Sequence, residues 1–232
     1  MPAVTLFACD FLPIIPSSVY VPLLDRLLFR HAFRGDSARR YALDERPAFG
    51  DLDDRLLAEL DLGGARRLLD LGCGPGTFAR AAAARHPGLT VIAMDPSRDF
   101  AGAWDGPAAP NVHRVQGWGE AIPLADASVD VAMCLSSIRH VRDRARTLRE
   151  LRRTVRDRLV IVELDPDADA ARIAAHADAL GGPTLRRRMF GPLVVKTAPP
   201  APSIAELARA AGFTQVELRP DRIQPVYVMQ LR

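Results

Sequence analysis

The stretch Arg67-Leu-Leu-Asp-Leu-Gly-Cys-Gly-Pro-Gly-Thr-Phe-Ala-Arg80 constrains the fold more than any other part of the chain. Leu68, Leu69 and Leu71 form an apolar run of strand length. Three glycines follow at alternate positions, and the alanine-rich segment from Ala79 to His86, closed by Pro87-Gly88, reads as a helix. Strand, glycine turn and helix in immediate succession point to an α/β fold. Glycine at 72, 74 and 76 tolerates positive φ and lets a ligand approach bare backbone. Thr77 is placed to cap the helix, with free amides facing the same ligand.

The spacing decides which ligand suits the turn. Counting from Gly72, a dinucleotide fingerprint requires glycine where Thr77 stands. Asp70, two residues before the first glycine, repels a pyrophosphate and attracts an ammonium group. These residues resemble motif I of the class I S-adenosylmethionine-dependent methyltransferases, of the small-molecule, UbiE-like type, whose hallmark is an aspartate followed by G-x-G-x-G. The resemblance implies a Rossmann-like, doubly wound, seven-stranded sheet, mostly parallel with an antiparallel last strand. It also implies S-adenosyl-L-methionine as cofactor, with Asp70 at its methionine end and Gly72, Cys73, Gly74 and Gly76 as the backbone floor.

Further residues fall in the matching order. Leu89 to Asp95 is an apolar, β-branched run ending in a carboxylate, and Pro96-Ser97 opens a short helix. Asp95 suits the ribose hydroxyls, or the N-cap of that helix, and Pro96 follows it in the cofactor site. Val112 to Val115 reads as a third strand. In Gln116 to Leu124, Trp118 stands where the family's adenine-binding acid normally is. Its ring either lies along the adenine face or points into the core, and the amides of Trp118 and Gly119 are placed to read the adenine edge. Val131 to Leu135 is a fourth strand, ending at Ser136-Ser-Ile-Arg-His140. In the resembling family the residues just past strand four border the transferred methyl group. That places Leu135 against the cofactor and makes His140 the candidate catalytic base, its alternative being to cap or pack the next helix.

Around this core the periodicity predicts amphipathic helices at Val19–Phe33 and Phe49–Leu62, an N-terminal helical cap, and in the Ala38–Asp44 stretch between them Tyr41 loosely matches a tyrosine that in the resembling family contacts the cofactor. Downstream it predicts a helix over 141–155 and a strand over 158–164 entered through an Arg156-Asp157 turn. A helix over 165–180 follows, then a loop or lid over 185–202 carrying Arg186-Arg187-Arg188, and a capped helix over 203–211. Two strands, 213–218 and 225–231, close the chain as an antiparallel hairpin at a sheet edge.

At 232 residues without repeats or a low-complexity linker, the expectation is one domain, residues 1–62 forming the cap and 67–232 the core. The formal charge of +3 is too small to argue for nucleic acid. Cys9, Cys73 and Cys134 lack metal-ligand spacing, which favours a reducing compartment and no metal. Met1 to Leu28 is apolar but broken by Pro13, Pro16 and Pro22, resembles neither a signal peptide nor a membrane span, and leaves the cytoplasm as the expected location. Beyond strand four there is no Asn/Asp-Pro-Pro-aromatic motif and no Pro-Cys pair, and Lys196 is the only lysine. These absences favour a small-molecule acceptor offering an O, N or C nucleophile. The alternatives are a catalytically inactive cofactor-binding partner protein and, disfavoured by Asp70 and Thr77, a nucleotide-dependent oxidoreductase.

Overall fold

The computed structural model describes residues 33–62, 64–100, 104 and 109–232. The expected helix at Val19–Phe33, except Phe33 itself, lies outside them, as do Cys9, the stretch Met1–Leu28 and Pro107. Helix α1 (Asp36–Arg40) runs through a π turn (Tyr41–Glu45) and a 3-10 turn (Arg46–Phe49) to α2 (Leu52–Glu59). Then come β1 (Arg67–Leu71), α3 (Thr77–Arg85), β2 (Thr90–Asp95), β3 (Val112–Gln116), β4 (Val129–Leu135), α4 (Arg144–Thr154) and β5 (Val155–Leu164). The chain continues through α5 (Ala170–Ala179), α6 (Thr184–Phe190), a π turn (Gly191–Val195), α7 (Ala201–Ala210), β6 (Val216–Pro220) and β7 (Val226–Leu231).

The strands form one seven-stranded sheet in the order β3-β2-β1-β4-β5-β7-β6. Strands β1 to β5 pair in parallel, and β7 inserts antiparallel between β5 and β6. The Rossmann-like sheet and its closing hairpin are as the sequence implies. Alternate side chains feed opposite faces, as the pleat requires. Leu68, Met133 and Val160 pack against Leu52 and Leu56 of α2 and Phe78 and Ala82 of α3. Leu69, Cys134 and Ile161 pack against Leu148 and Leu151 of α4 and Ile204 and Ala208 of α7. Each such leucine contributes about 1.5–3 kcal/mol by leaving water. The strand order reverses between β1 and β4, and an open α/β sheet binds ligands in the crevice beyond the carboxyl ends of such a pair.

Several boundaries differ from those expected, for identifiable reasons. No Arg156-Asp157 turn exists: α4 ends at Thr154, whose hydroxyl donates to the Glu150 carbonyl, and β5 begins at the next residue. The added length is absorbed by a register shift, Val129 pairing with Val155 and Val131 with Arg158. Asp143, rather than a residue nearer Val141, caps α4 by accepting from the Arg146 amide at 2.9 Å. Helix α5 starts at 170, after a turn in which Asp165 accepts from the amide of Asp167, and is capped by Asp169. Ser203 lies inside α7 and donates to the Pro200 carbonyl. The supposed loop at 185–202 is mostly helical. Gly191 in particular is right-handed and helical (φ −55°), and a Cβ there would lie 3.1 Å from Ile173, so it serves helix contact rather than a turn. Arg186 pairs with Glu45 and Arg187 with Asp178, accounting for two of the three adjacent arginines.

Candidate active site

Asp70 and Leu71 end β1 at the crevice, and the glycine turn is shaped by its own packing. Gly72, Gly74 and Gly76 all have positive φ (73°, 52° and 74°). A Cβ on Gly72 would fall 2.4 Å from Ser137 Cβ, and one on Gly76 would fall 2.1 Å from the Trp104 ring. The Gly72 and Cys73 amides donate to the Met94 carbonyl (2.7 and 3.2 Å), and the Gly74 amide donates to Asp95 Oδ2 (2.9 Å). The Gly76 amide donates to the Cys73 carbonyl at 2.9 Å. The free amides expected at this turn are therefore engaged within the protein. Nor does Thr77 cap α3, whose N-cap is Gly76 in the left-handed region. What the turn offers a ligand is its α-carbon surface.

Two carboxylates flank that surface. Asp95 ends β2 and binds the loop on both sides, Oδ2 to the Gly74 amide and Oδ1 to the Ser97 amide at 2.8 Å. The Ser97 bond satisfies the local turn, and both oxygens keep further lone pairs. Asp70 is 2% exposed, and its Oδ2 has no hydrogen-bond partner among the described residues. Burial, reinforced by Asp53 against the opposing pull of Arg46, pushes its pKa up to about 7. Burial likewise raises Asp95. An orphaned, buried carboxylate beside a bare glycine turn fits a ligand bearing a cationic hydrogen-bond donor.

Two cavities meet here. The first is lined by Leu71, Gly72, Gly74, Asp95, Trp118 and Gly119, with Pro96 and Phe100 beside them. The second, about 490 Å³, runs between the carboxyl ends of β4 and β5 and the helices at 41–49, α5 and α6. Phe33, Tyr41, Ser136 and His140 line both and so form the junction. Asp70, Cys73 and Leu135 line a small recess beneath, shared with Tyr41 and Arg46. The Tyr41 ring packs on Phe33 (4.9 Å between centroids) and Phe100 (5.9 Å), and burial raises its hydroxyl to about 12. His140 packs on Phe33 at 5.0 Å and does not cap α4, whose cap is Asp143. The Arg142 guanidinium sits 4.5 Å from the centroid of the Trp118 ring.

Thus Tyr41, Asp70, Gly72, Cys73, Gly74, Asp95, Pro96, Trp118, Gly119, Leu135 and His140 are brought together along these walls. Gly76 lies apart, under the Trp104 indole, whose Nε1 donates to the Gly74 carbonyl at 3.2 Å. Sequence reasoning overlooked Phe33, Arg46, Phe100, Trp104 and Ser136. Arg46 forms a buried pair with Asp53 at 2.5 Å, and its charged surroundings, Asp44-Glu45-Arg46-Pro47, gave no signal of burial. Ser136, non-glycine at φ 51°, had only its place at the end of β4 to mark it.

A family model described as a methyltransferase domain matches residues 69–162. The ubiquinone/menaquinone biosynthesis C-methyltransferase UbiE of Syntrophotalea carbinolica is 32% identical over 151 residues, covering 61% of this chain and 60% of that protein. The malonyl-[acyl-carrier protein] O-methyltransferase of Pseudescherichia vulneris is 36% identical over 103 residues, covering 44% and 40%. The chain thus spans about half the length of these two relatives. Among solved structures, a SAM-dependent methyltransferase from Aquifex aeolicus superposes with a TM-score of 0.62 at 18% identity, over 85% of this chain and 97% of that one, a likeness of fold. Sheet order, the Asp70 to Gly76 motif and the matched domain together support a class I S-adenosylmethionine-dependent methyltransferase.

Proposed function

We propose that the protein, a single domain over residues 1–232, transfers a methyl group from S-adenosyl-L-methionine to an oxygen, nitrogen or carbon nucleophile of a small molecule. The observation that carries this reading is the junction: one cavity holds the glycine turn and Asp95, a larger one adjoins it, and His140 and Tyr41 belong to both. The cofactor supplies an electrophilic methyl group on a sulfonium. In this reading Asp70 accepts hydrogen bonds from the methionine ammonium, Asp95 holds the ribose hydroxyls, and Trp118 and Gly119 bound the adenine. Leu135 and Cys73 close the recess around the methionine end. His140 takes a proton from a hydroxyl or amine nucleophile where the chemistry requires it. Where it does not, alignment across the junction suffices, since orientation alone is worth about 7–11 kcal/mol. The printed names of the two relatives include a C- and an O-methyltransferase, so the family does not choose the nucleophile. Unpaired Cys73 and Cys134 suit a reducing cytoplasm.

Isothermal titration with S-adenosylmethionine and its demethylated product, with NAD as control, tests the cofactor. The expected result is saturable binding of the first two, lost in Asp70→Ala with the fold intact. Binding of NAD alone refutes the reading. Turnover against acceptors then separates an enzyme from a binding partner.

A further inference from the structure

The larger cavity contains a histidine that the cofactor cavity does not share. His176, on α5, is 4% exposed, stacked on Phe190 with centroids 5.2 Å apart and set against Phe49 at 4.8 Å. Its Nδ1 lies 2.6 Å from Gln224 Oε1. The orientation of that amide is fixed from its other end, where Nε2 donates to the carbonyls of Phe49 (3.0 Å) and Ala48 (3.4 Å). Carbonyls only accept, so the Gln224 nitrogen must face them and its oxygen must face the imidazole. An amide oxygen also only accepts, so His176 carries its proton on Nδ1. Burial lowers the pKa of the ring, which keeps it neutral and leaves a lone pair on Nε2. With Nδ1 tied and a face covered by Phe190, the Nε2 edge is what His176 contributes to the cavity wall, and among the described residues no donor takes that lone pair.

The rest of the wall is mixed, with the hydroxyls of Tyr41 and Ser136 able to donate or accept. Glu163, at 0% exposure, also lines the cavity, its two oxygens accepting from the amides of Leu164 (2.9 Å) and Arg139 (3.3 Å). Its neighbour Arg139 donates to the Val194 carbonyl and to Thr197 Oγ1, and Arg186 at the rim is paired with Glu45. The His176 acceptor set among Tyr41, Phe49 and Phe190 calls for a ligand that is apolar and brings its own donor. We propose that this cavity takes an apolar, ring-containing molecule carrying a hydroxyl or N–H group, and that His176 Nε2 accepts a hydrogen bond from that group. That the occupant is the methyl acceptor rests on the methyl-transfer reading above; the demand for a donor rests on the cavity alone. His176 is then a specificity residue, distinct from His140 at the junction.

The test compares naphthol with its methyl ether, which has the same rings and no donor, by titration into the full chain with and without S-adenosylhomocysteine. Wild type should bind naphthol about tenfold more tightly, the effect of one buried hydrogen bond. His176→Phe should erase that preference while holding the ether within about twofold. Nitrogen NMR of the wild-type imidazole, which needs no variant to fold, should show the proton on Nδ1 and an Nε2 resonance that moves with naphthol and not with the ether. Equal affinities, failure of both probes to bind, a preference retained in His176→Phe, or a proton on Nε2 would each overturn the proposal. Loss of cofactor binding with the naphthol preference kept would instead sink methyl transfer and leave this site standing.

Discussion

Asp70→Asn should make the ligand-free protein more stable at alkaline pH while destroying its cofactor site. The carboxyl titrates near 7 in the folded protein against an ordinary value of 3.8, because burial disfavours its charge. Between those values the folded state keeps a proton that the unfolded chain has released. Stability is therefore fully present below the unfolded value and falls as pH rises toward the folded one. Each pH unit within that window costs about 1.4 kcal/mol, and the slope fades above 7. From about pH 6 to about pH 8 the folded group ionises over roughly half the interval, so the net loss from Asp70 is about 1.4 kcal/mol. For a chain of this length that is roughly 3–6 °C in melting temperature. Asn has the same shape and no charge to bury, so its profile should lack this component. Asp53, Arg46 and Asp95 are present in both proteins, so the difference between wild type and variant isolates Asp70. The assay is urea or thermal unfolding of both across that range, with parallel titration of S-adenosylmethionine. Wild-type affinity should rise with pH to about 7 and then level off, since an ammonium needs the ionised acid, whereas the variant should bind weakly throughout. Parallel stability profiles, or a variant less stable than wild type at about pH 8, would refute the assignment of a buried, raised carboxyl.

Gly72→Ala should cost at least about 2 kcal/mol of stability, from the left-handed backbone and the collision with Ser137, whereas Gly74→Ala, whose Cβ would meet nothing nearer than 3.7 Å, should cost only about 1–2 kcal/mol. Denaturant melts that rank the two alike would show that the clash relaxes away, and Ser137→Gly added to Gly72→Ala should recover part of the loss. Asp95→Ala should reduce cofactor affinity by about 1.5–3 kcal/mol and also lower the melting temperature, because the Gly74 and Ser97 amides lose their acceptor. Unchanged affinity by titration removes the ribose assignment. Arg186→Ala, which breaks a partly exposed pair with Glu45, should change stability by no more than about 1 kcal/mol and lose even that in high salt. A larger effect in thermal melts would mean that the pair holds the cavity mouth together.

Legibility in the sequence tracked the distance over which each feature is built. Leu68 to Leu71, the glycines and Thr90 to Asp95 are local patterns of strand, turn and strand, and the structure places them as read. Where the chain departed from expectation, a residue with one usual meaning was doing another job. Gly191-Pro192 reads as a break, yet Gly191 is there to let the backbone approach Ile173, and the wall of the larger cavity was hidden inside an apparent loop. Arg156 and Asp157 read as a turn, yet a shift in pairing between β4 and β5 keeps them in the strand. Trp104 over Gly76 joins residues far apart in the chain, as does Gln224 between His176 and Phe49, and no window along the sequence registers them.

The same geometry explains why Asp70 and Thr77 argue together against a dinucleotide. A pyrophosphate site needs unspent amides at a glycine turn and helix N-terminus. Here the amides of Gly72, Cys73, Gly74 and Gly76 are taken by Met94, Asp95 and Cys73. The Ala79 amide, in the first turn of α3, hydrogen-bonds to the Asp70 carboxyl itself. A protein carboxylate thus occupies the electrostatic position that a phosphate would need, and it does so with one oxygen still unpartnered. Asp95 and Glu163 set further carboxyls along the crevice. If Asp70 holds the cofactor's ammonium as proposed, folding, protonation and cofactor binding should be linked through this one buried carboxyl. The failure of NAD in the control titration would follow from that charge arrangement, whatever the shape of the pocket.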